Sequence, residues 1–116
     1  MQIFPVNPAF YFETGILEYD GEYAHNFWNG YGKRYYLNGN LQYDGYFQED
    51  YYNGSGKYYD FFSGKLSYDG QWKNGLQNGK GKLYYENGKL KFEGEFIDNN
   101  PIKGTYHKED GTNFSK

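Results

Sequence analysis

Two histidines, recurring rows of carboxylates and lysines, four serines and three G-x-G pairs are the residues whose types could do chemistry in this chain. A general base or a metal centre would need the histidines beside other polar groups. His25 and His107 instead fall six strands apart in a repeating array, roughly 30 Å at ~4.8 Å per strand, so they share neither a metal nor a proton. Ser55, Ser63, Ser67 and Ser115 sit at turns or polar positions without a neighbouring base, and no G-x-S-x-G elbow surrounds them. The pairs Gly30/Gly32, Gly54/Gly56 and Gly79/Gly81 lack the strand-to-helix context of a phosphate loop. Asp20, Asp44, Asp69 and Glu93 form one row, and Lys33, Lys57 and Lys82 another. An acidic row can hold calcium, but calcium rolls use shorter glycine-aspartate repeats and no EF-hand loop occurs. Opposed rows read instead as cross-strand charge pairs worth ~0.2–1 kcal/mol each. No catalytic residue, metal ligand or cofactor is assigned, and the chain is read as a non-enzyme.

Those rows exist because one phrase recurs. The triplets Tyr19-Asp20-Gly21, Tyr43-Asp44-Gly45, Tyr68-Asp69-Gly70 and Phe92-Glu93-Gly94 begin at positions 19, 43, 68 and 92, so the steps are 24, 25 and 24. Within a unit the period is two, as in Leu41, Tyr43, Gly45 and Phe47 against Asp44. That is the strand pattern, with one face apolar and the other charged. The glycine in the middle of Y-x-G-x-F lets a neighbouring ring lie over backbone. Asn38-Gly39 and Asn87-Gly88 predict two-residue type I′ turns, with longer connections at 24–30, 48–54 and 73–79. A lone hairpin is marginal in water, whereas identical hairpins side by side stack like on like. The expected fold is all-β: one elongated, single-layer antiparallel sheet of stacked hairpins. About nine or ten strands would make it roughly 40–45 Å long. Everything belongs to one domain: a cap and half repeat at 1–18, repeats at 19–42, 43–67 and 68–91, and an irregular fourth repeat with a cap at 92–116.

Composition narrows the function. The chain has 116 residues, 16 Tyr, 10 Phe and 2 Trp; each ring buries ~150–250 Å², enough to fold a chain otherwise poor in apolar residues. The net charge of −3, with no basic stripe, excludes nucleic acid and argues against anionic lipid. With no cysteine there is neither disulfide nor thiolate chemistry. The stretch "MQIFPVNPAF" has no basic n-region or apolar h-region, so no signal peptide is expected and the protein is placed in the cytoplasm. Pro5, Pro8 and the terminal "TNFSK" are read as edge caps, the latter able to start a strand that a second chain completes.

The phrase Y-x-G-x-[WFY] followed by G-x-G-K resembles the MORN repeat, and "YENGKLKFEGEF" (85–96) is similar to the bacterial MORN-variant type. The resemblance covers residues 11–111. It implies a single-layer sheet with an aromatic groove, and roles in protein interaction, homodimerisation or phospholipid contact; some bacterial variants are antitoxin-like. A non-catalytic scaffold that binds another protein is the first reading, through an aromatic groove or exposed edge strands. A peripheral phospholipid-binding module and an enzyme with a cryptic site are the alternatives. Tyr23, Phe47, Trp72 and Phe96 form one aromatic row and Tyr35, Tyr59 and Tyr84 a second. The first reads mainly as core. Candidate partner-binding residues are Phe27, Trp28, Tyr51, Tyr52, Tyr35, Tyr59, Tyr84 and Trp72, because large exposed rings mark binding surfaces.

Overall fold

Alternation in the repeated phrase becomes nine strands in the computed structural model, which describes residues 8–114. They are β1 (Ala9–Tyr11), β2 (Leu17–Ala24), β3 (Phe27–Tyr35), β4 (Leu41–Gln48), β5 (Tyr51–Tyr59), β6 (Leu66–Lys73), β7 (Leu76–Tyr84), β8 (Leu90–Ile97) and β9 (Asn100–Tyr106). All lie in one antiparallel sheet in chain order. The molecule measures 65 × 27 × 20 Å. Its long axis exceeds the roughly 40–45 Å counted from strand spacing. Pro5 lies outside the described residues; Pro8 directly precedes β1.

A row of glycines sets the register. Gly21, Gly32, Gly45, Gly56, Gly70, Gly81, Gly94 and Gly104 oppose one another strand by strand from β2 to β9. Without Cβ atoms this row is a floor on which Tyr19, Tyr43, Tyr68 and Phe92 lie. These four rings are almost completely buried. Phe47, Trp72 and Phe96 meet them edge-on, at 5.0, 5.0 and 5.4 Å within their own repeats. Tyr23, at the first such position, is 40% exposed, beside Phe10 of the short strand β1 at 5.2 Å. One face of the sheet therefore carries the whole core.

Each hydroxyl in this row donates to the carbonyl three residues on: Tyr19 to Glu22 at 2.6 Å, Tyr43 to Tyr46 at 2.8 Å, Tyr68 to Gln71 at 2.8 Å. Burial, the largest influence, raises the pKa of all three, that of Tyr68 to about 12. An unfolded tyrosine ionises near ~10, so the protein binds these protons more tightly folded than unfolded. Their contribution to stability is complete below pH ~10 and is lost as pH rises through the folded values. Melting temperature is expected to stay level to pH ~9 and fall above ~10, with the last tyrosinate absorbance appearing together with loss of strand circular dichroism. Full tyrosine titration in a still-folded chain would contradict the buried row.

Two local expectations are corrected. The two-residue turns are His25-Asn26, Glu49-Asp50, Asn74-Gly75 and Asp98-Asn99, where both residues have positive φ as a type I′ turn demands. Asn38-Gly39 and Asn87-Gly88 lie in three-residue loops instead: Gly39 N–H donates to Tyr36 O and Tyr36 N–H to Asn40 O, both at 2.9 Å, with only Gly39 at positive φ (92°). The fourth repeat keeps the short turn at Asp98-Asn99 despite Pro101.

The second correction concerns the leucines. The register jumps by one residue at the start of β4, β6 and β8, so that Leu41, Leu66 and Leu90 oppose Tyr35, Tyr59 and Tyr84. The extra residue is a bulge, which breaks the period of two. It moves the leucines off the core face, and none joins the core cluster.

Candidate functional site

The face away from the core is where side chains remain available. Its centre is a charge ladder: Asp20, Lys33, Asp44, Lys57, Asp69, Lys82 and Glu93 stand opposite one another across β2 to β8, alternating in sign at every strand. To one side runs a half-buried apolar row in which Tyr and Leu alternate: Leu17, Tyr35, Leu41, Tyr59, Leu66, Tyr84 and Leu90. Tyr11, exposed, extends it opposite Leu17. To the other side lies a mixed row of Glu22, Tyr31, Tyr46, Ser55, Gln71, Lys80, Glu95 and Lys103.

Local bonding fixes the middle of this face. The Tyr31 hydroxyl donates to Asp44 Oδ1, and its backbone N–H donates to Glu22 Oε1 at 2.6 Å. The Asp44 bond is the main reason the Tyr31 pKa is pushed up to about 12. Tyr31 and Tyr46 meet edge-on at 5.7 Å and are 42% and 51% exposed. Burial, then the carboxylates of Asp44 and Asp69, raises the Tyr59 pKa. Toward β9 the face opens into a groove of 520 Å³ floored by Gly81, Gly94 and Gly104 and walled by Lys80, Lys82, Glu93, Glu95 and Lys103.

The eight residues singled out from sequence separate into three groups. Tyr52 and Trp72 are buried in the core, and Trp28 packs against it. Tyr52 stacks on Tyr43 at 3.9 Å and Trp28 on Tyr19 at 4.5 Å, because the turns at Glu49-Asp50 and His25-Asn26 start β5 and β3 earlier than expected. Phe27 and Tyr51 stay exposed beside those turns. Tyr35, Tyr59 and Tyr84 form a row, as expected, but on the charged face. Alternation from Lys33 already puts Tyr35 there; no residue type announces the leucine flip that joins it. Tyr31 and Tyr46 were passed over.

His25 occupies a type I′ turn and His107 follows β9, bridged to Asn113. Thr112 and Asn113 thus fold back on the chain, and Phe114 is 53% exposed. Among the described residues no three His, Cys, Asp or Glu side chains are arranged to hold a metal, and no helix is long and apolar enough to cross a membrane.

A comparison with curated proteins gives no significant match. The MORN repeat family matches residues 19–41, 43–60 and 68–89, three consecutive copies of the glycine-floored hairpin. Together they cover more than half of the chain, so this protein belongs to the MORN repeat family, whose repeats generally serve as interaction modules for proteins or membranes rather than as catalysts.

Proposed function

We propose that this protein is a non-catalytic scaffold that binds another polypeptide through its charged, tyrosine-bearing face. The observation that carries the reading is the Tyr/Leu row left half-exposed beside the alternating ladder, with Tyr31 and Tyr46 open on the ladder's other side. Tyrosine supplies amphipathic contact area at little cost in side-chain entropy, and protein interfaces are enriched in aromatics. Phe27 and Tyr51 extend the surface at the strand ends.

The ladder weighs against lipid head groups, since each of Lys33, Lys57 and Lys82 stands between two carboxylates in register. The cysteine-free composition suits the reducing cytoplasm. Neutralising a toxin is the specific form that the antitoxin-like resemblance of residues 85–96 offers.

A photo-cross-linking residue placed at Tyr46 or Tyr59 in producing cells tests the face by position. Polypeptide adducts from both positions, and none from Phe62 at the 86% exposed loop tip, are expected. No adduct from Tyr46 or Tyr59, together with sedimentation of the protein on anionic vesicles at low salt, would replace this reading with the lipid one.

A further inference from the structure

We propose that the N-terminal end of the core face holds a site for a small zwitterion with an apolar body, namely an α-amino acid with an aromatic side chain. The site lies on the opposite side of the sheet from the charged face and does not depend on that face binding a polypeptide.

Repetition exposes it. Between each pair of rings on the glycine floor one residue stands in register: Arg34 between Tyr19 and Tyr43, Tyr58 between Tyr43 and Tyr68, and Leu83 between Tyr68 and Phe92. On β9 the same place, opposite Phe92, belongs to Tyr106. Tyr58 and Leu83 pack against the core. A guanidinium in that row breaks the local pattern, and such breaks concentrate at functional sites. The fold does not absorb it, because Arg34 Nε is buried with no hydrogen-bond partner among the described residues. A buried donor left unpaired is costly, and the guanidinium fork matches a planar carboxylate.

The surroundings supply the other parts. Phe10, Tyr23, Asn26, Trp28, Arg34 and Asp50 line a cavity of 390 Å³, inside the ~300–1,000 Å³ range of small-molecule sites. Phe10 lies 5.2 Å from Tyr23 and 6.0 Å from Trp28, so three touching rings form its apolar wall. The Arg34 guanidinium carbon stands over the Trp28 ring at 5.2 Å. Asp50 Oδ1 accepts the Trp28 backbone N–H at 2.8 Å, and a carboxylate keeps further acceptor sites beyond one such bond. One cation, one carboxylate and three rings match a molecule bearing a carboxylate, an ammonium and a ring. Arg34 takes the carboxylate, Asp50 the ammonium, and Phe10 with Tyr23 the side chain.

The next repeat provides an internal comparison. Its equivalent cavity measures 290 Å³ and has Tyr52, Tyr58 and Gly75 where the first has Trp28, Arg34 and Asp50. The backbone confirms the equivalence: Asp50 N–H donates to Trp28 O and Gly75 N–H to Tyr52 O, both at 2.9 Å. The hollow recurs with the repeat, whereas the charge pair belongs to the first copy.

Titrating the full chain with L-phenylalanine, followed by proton–nitrogen correlation spectra, tests the site. Shifts of the Arg34 Nε–H and Trp28 indole signals are expected, with a Kd of ~1 mM or tighter. Phenylalanine amide lacks the carboxylate and N-acetylphenylalanine lacks the ammonium; each is expected to bind at least ~10-fold more weakly. The two analogues also stand for the first and last residues of a peptide, so they separate a free amino acid from a chain end. Arg34→Tyr and Asp50→Asn carry the test to the protein. Tyrosine already fills the Arg34 register in β5 and β9, and Asn99 makes the Asp50 bond in its own turn, accepting Gln77 N–H at 2.8 Å. Both variants should therefore keep the melting temperature, and each is expected to lose at least ~10-fold in affinity for L-phenylalanine. No shift at ~10 mM L-phenylalanine, equal binding of either analogue, or undiminished binding by either variant overturns the inference. None of these results bears on cross-links from Tyr46 or Tyr59, which report the other face.

Discussion

Replacing Gly56 by alanine is expected to cost about 3 kcal/mol or more, at the upper end of the ~1–3 kcal/mol usual for overpacking. A Cβ built at Gly56 lies 2.5 Å from Cε1 of Tyr43 and closer still to Cζ and Oη. The ring has little room to retreat. Tyr52 stacks on it at 3.9 Å with the planes 6° apart, and its hydroxyl is bonded to Tyr46 O at 2.8 Å. Moving the ring would therefore break a hydrogen bond and displace a second ring. Gly88→Ala is the control: nothing lies within 4 Å of its Cβ, and the strain comes only from φ of +88°, worth ~1–2 kcal/mol. Urea titration of both variants checks the difference. A domain of this size has ~5–15 kcal/mol in total, so Gly56→Ala should unfold well below the wild-type midpoint. Equal midpoints for the two variants would mean that the glycine row is no floor for the rings.

What could be read from the sequence, and what could not, divides along a physical line. The sheet was legible because Tyr43, Gly45 and Phe47 keep strict alternation and recur at steps of 24 and 25. The floor was legible because glycine in mid-strand has few other uses. Turn types were not, because Glu49-Asp50 and His25-Asn26 take positive φ without a glycine to mark it. Asn38-Gly39 and Asn87-Gly88 drew the short-turn assignment that belonged to those sites. The leucine row was lost for a related reason. Whether Leu41 shares a face with Tyr43 depends on an extra residue in the ladder at that point, which is a matter of hydrogen-bond register, and Gln42 looks like any strand residue. One error fed the other: a period of two carried through the bulge turned an outward Tyr/Leu row into imagined core and left the true surface looking merely charged.

With both corrected, sequence and candidate function connect. The aromatic face is closed by its own rings, so the tyrosines left available lie on the opposite face. Identical stacking fixes the geometry of that face as firmly as it fixes the core. Each added repeat contributes one acid, one base, one tyrosine and one leucine at the same register, so the alternating ladder follows from repetition together with a single alternation in sign.

Trp72→Ala is expected to cost ~3–5 kcal/mol, the range for emptying a buried aromatic site. Trp72 is 7% exposed. Its ring lies 5.6, 5.1 and 5.8 Å from Tyr43, Tyr52 and Tyr58 of the preceding repeat, and 5.0 Å from Tyr68 of its own. Nε1–H donates to Gly56 O at 3.0 Å. Trp72→Phe should cost far less, about 1–1.5 kcal/mol, since it forfeits one hydrogen bond worth ~0.5–1.5 kcal/mol and some area, while Phe47 and Phe96 already fill the equivalent positions of their repeats. In an array where each repeat touches only its neighbours, coupling across one boundary decides whether the halves unfold together. Because Trp72 holds that boundary, the alanine variant is expected to unfold in two stages, the phenylalanine variant in one. Trp28, the other tryptophan, reports the N-terminal half by fluorescence while circular dichroism follows the whole sheet. A loss below ~1 kcal/mol for Trp72→Ala, or coincident transitions by both probes, would show that the repeats are held together by their strand ladder and that the rings merely cover it.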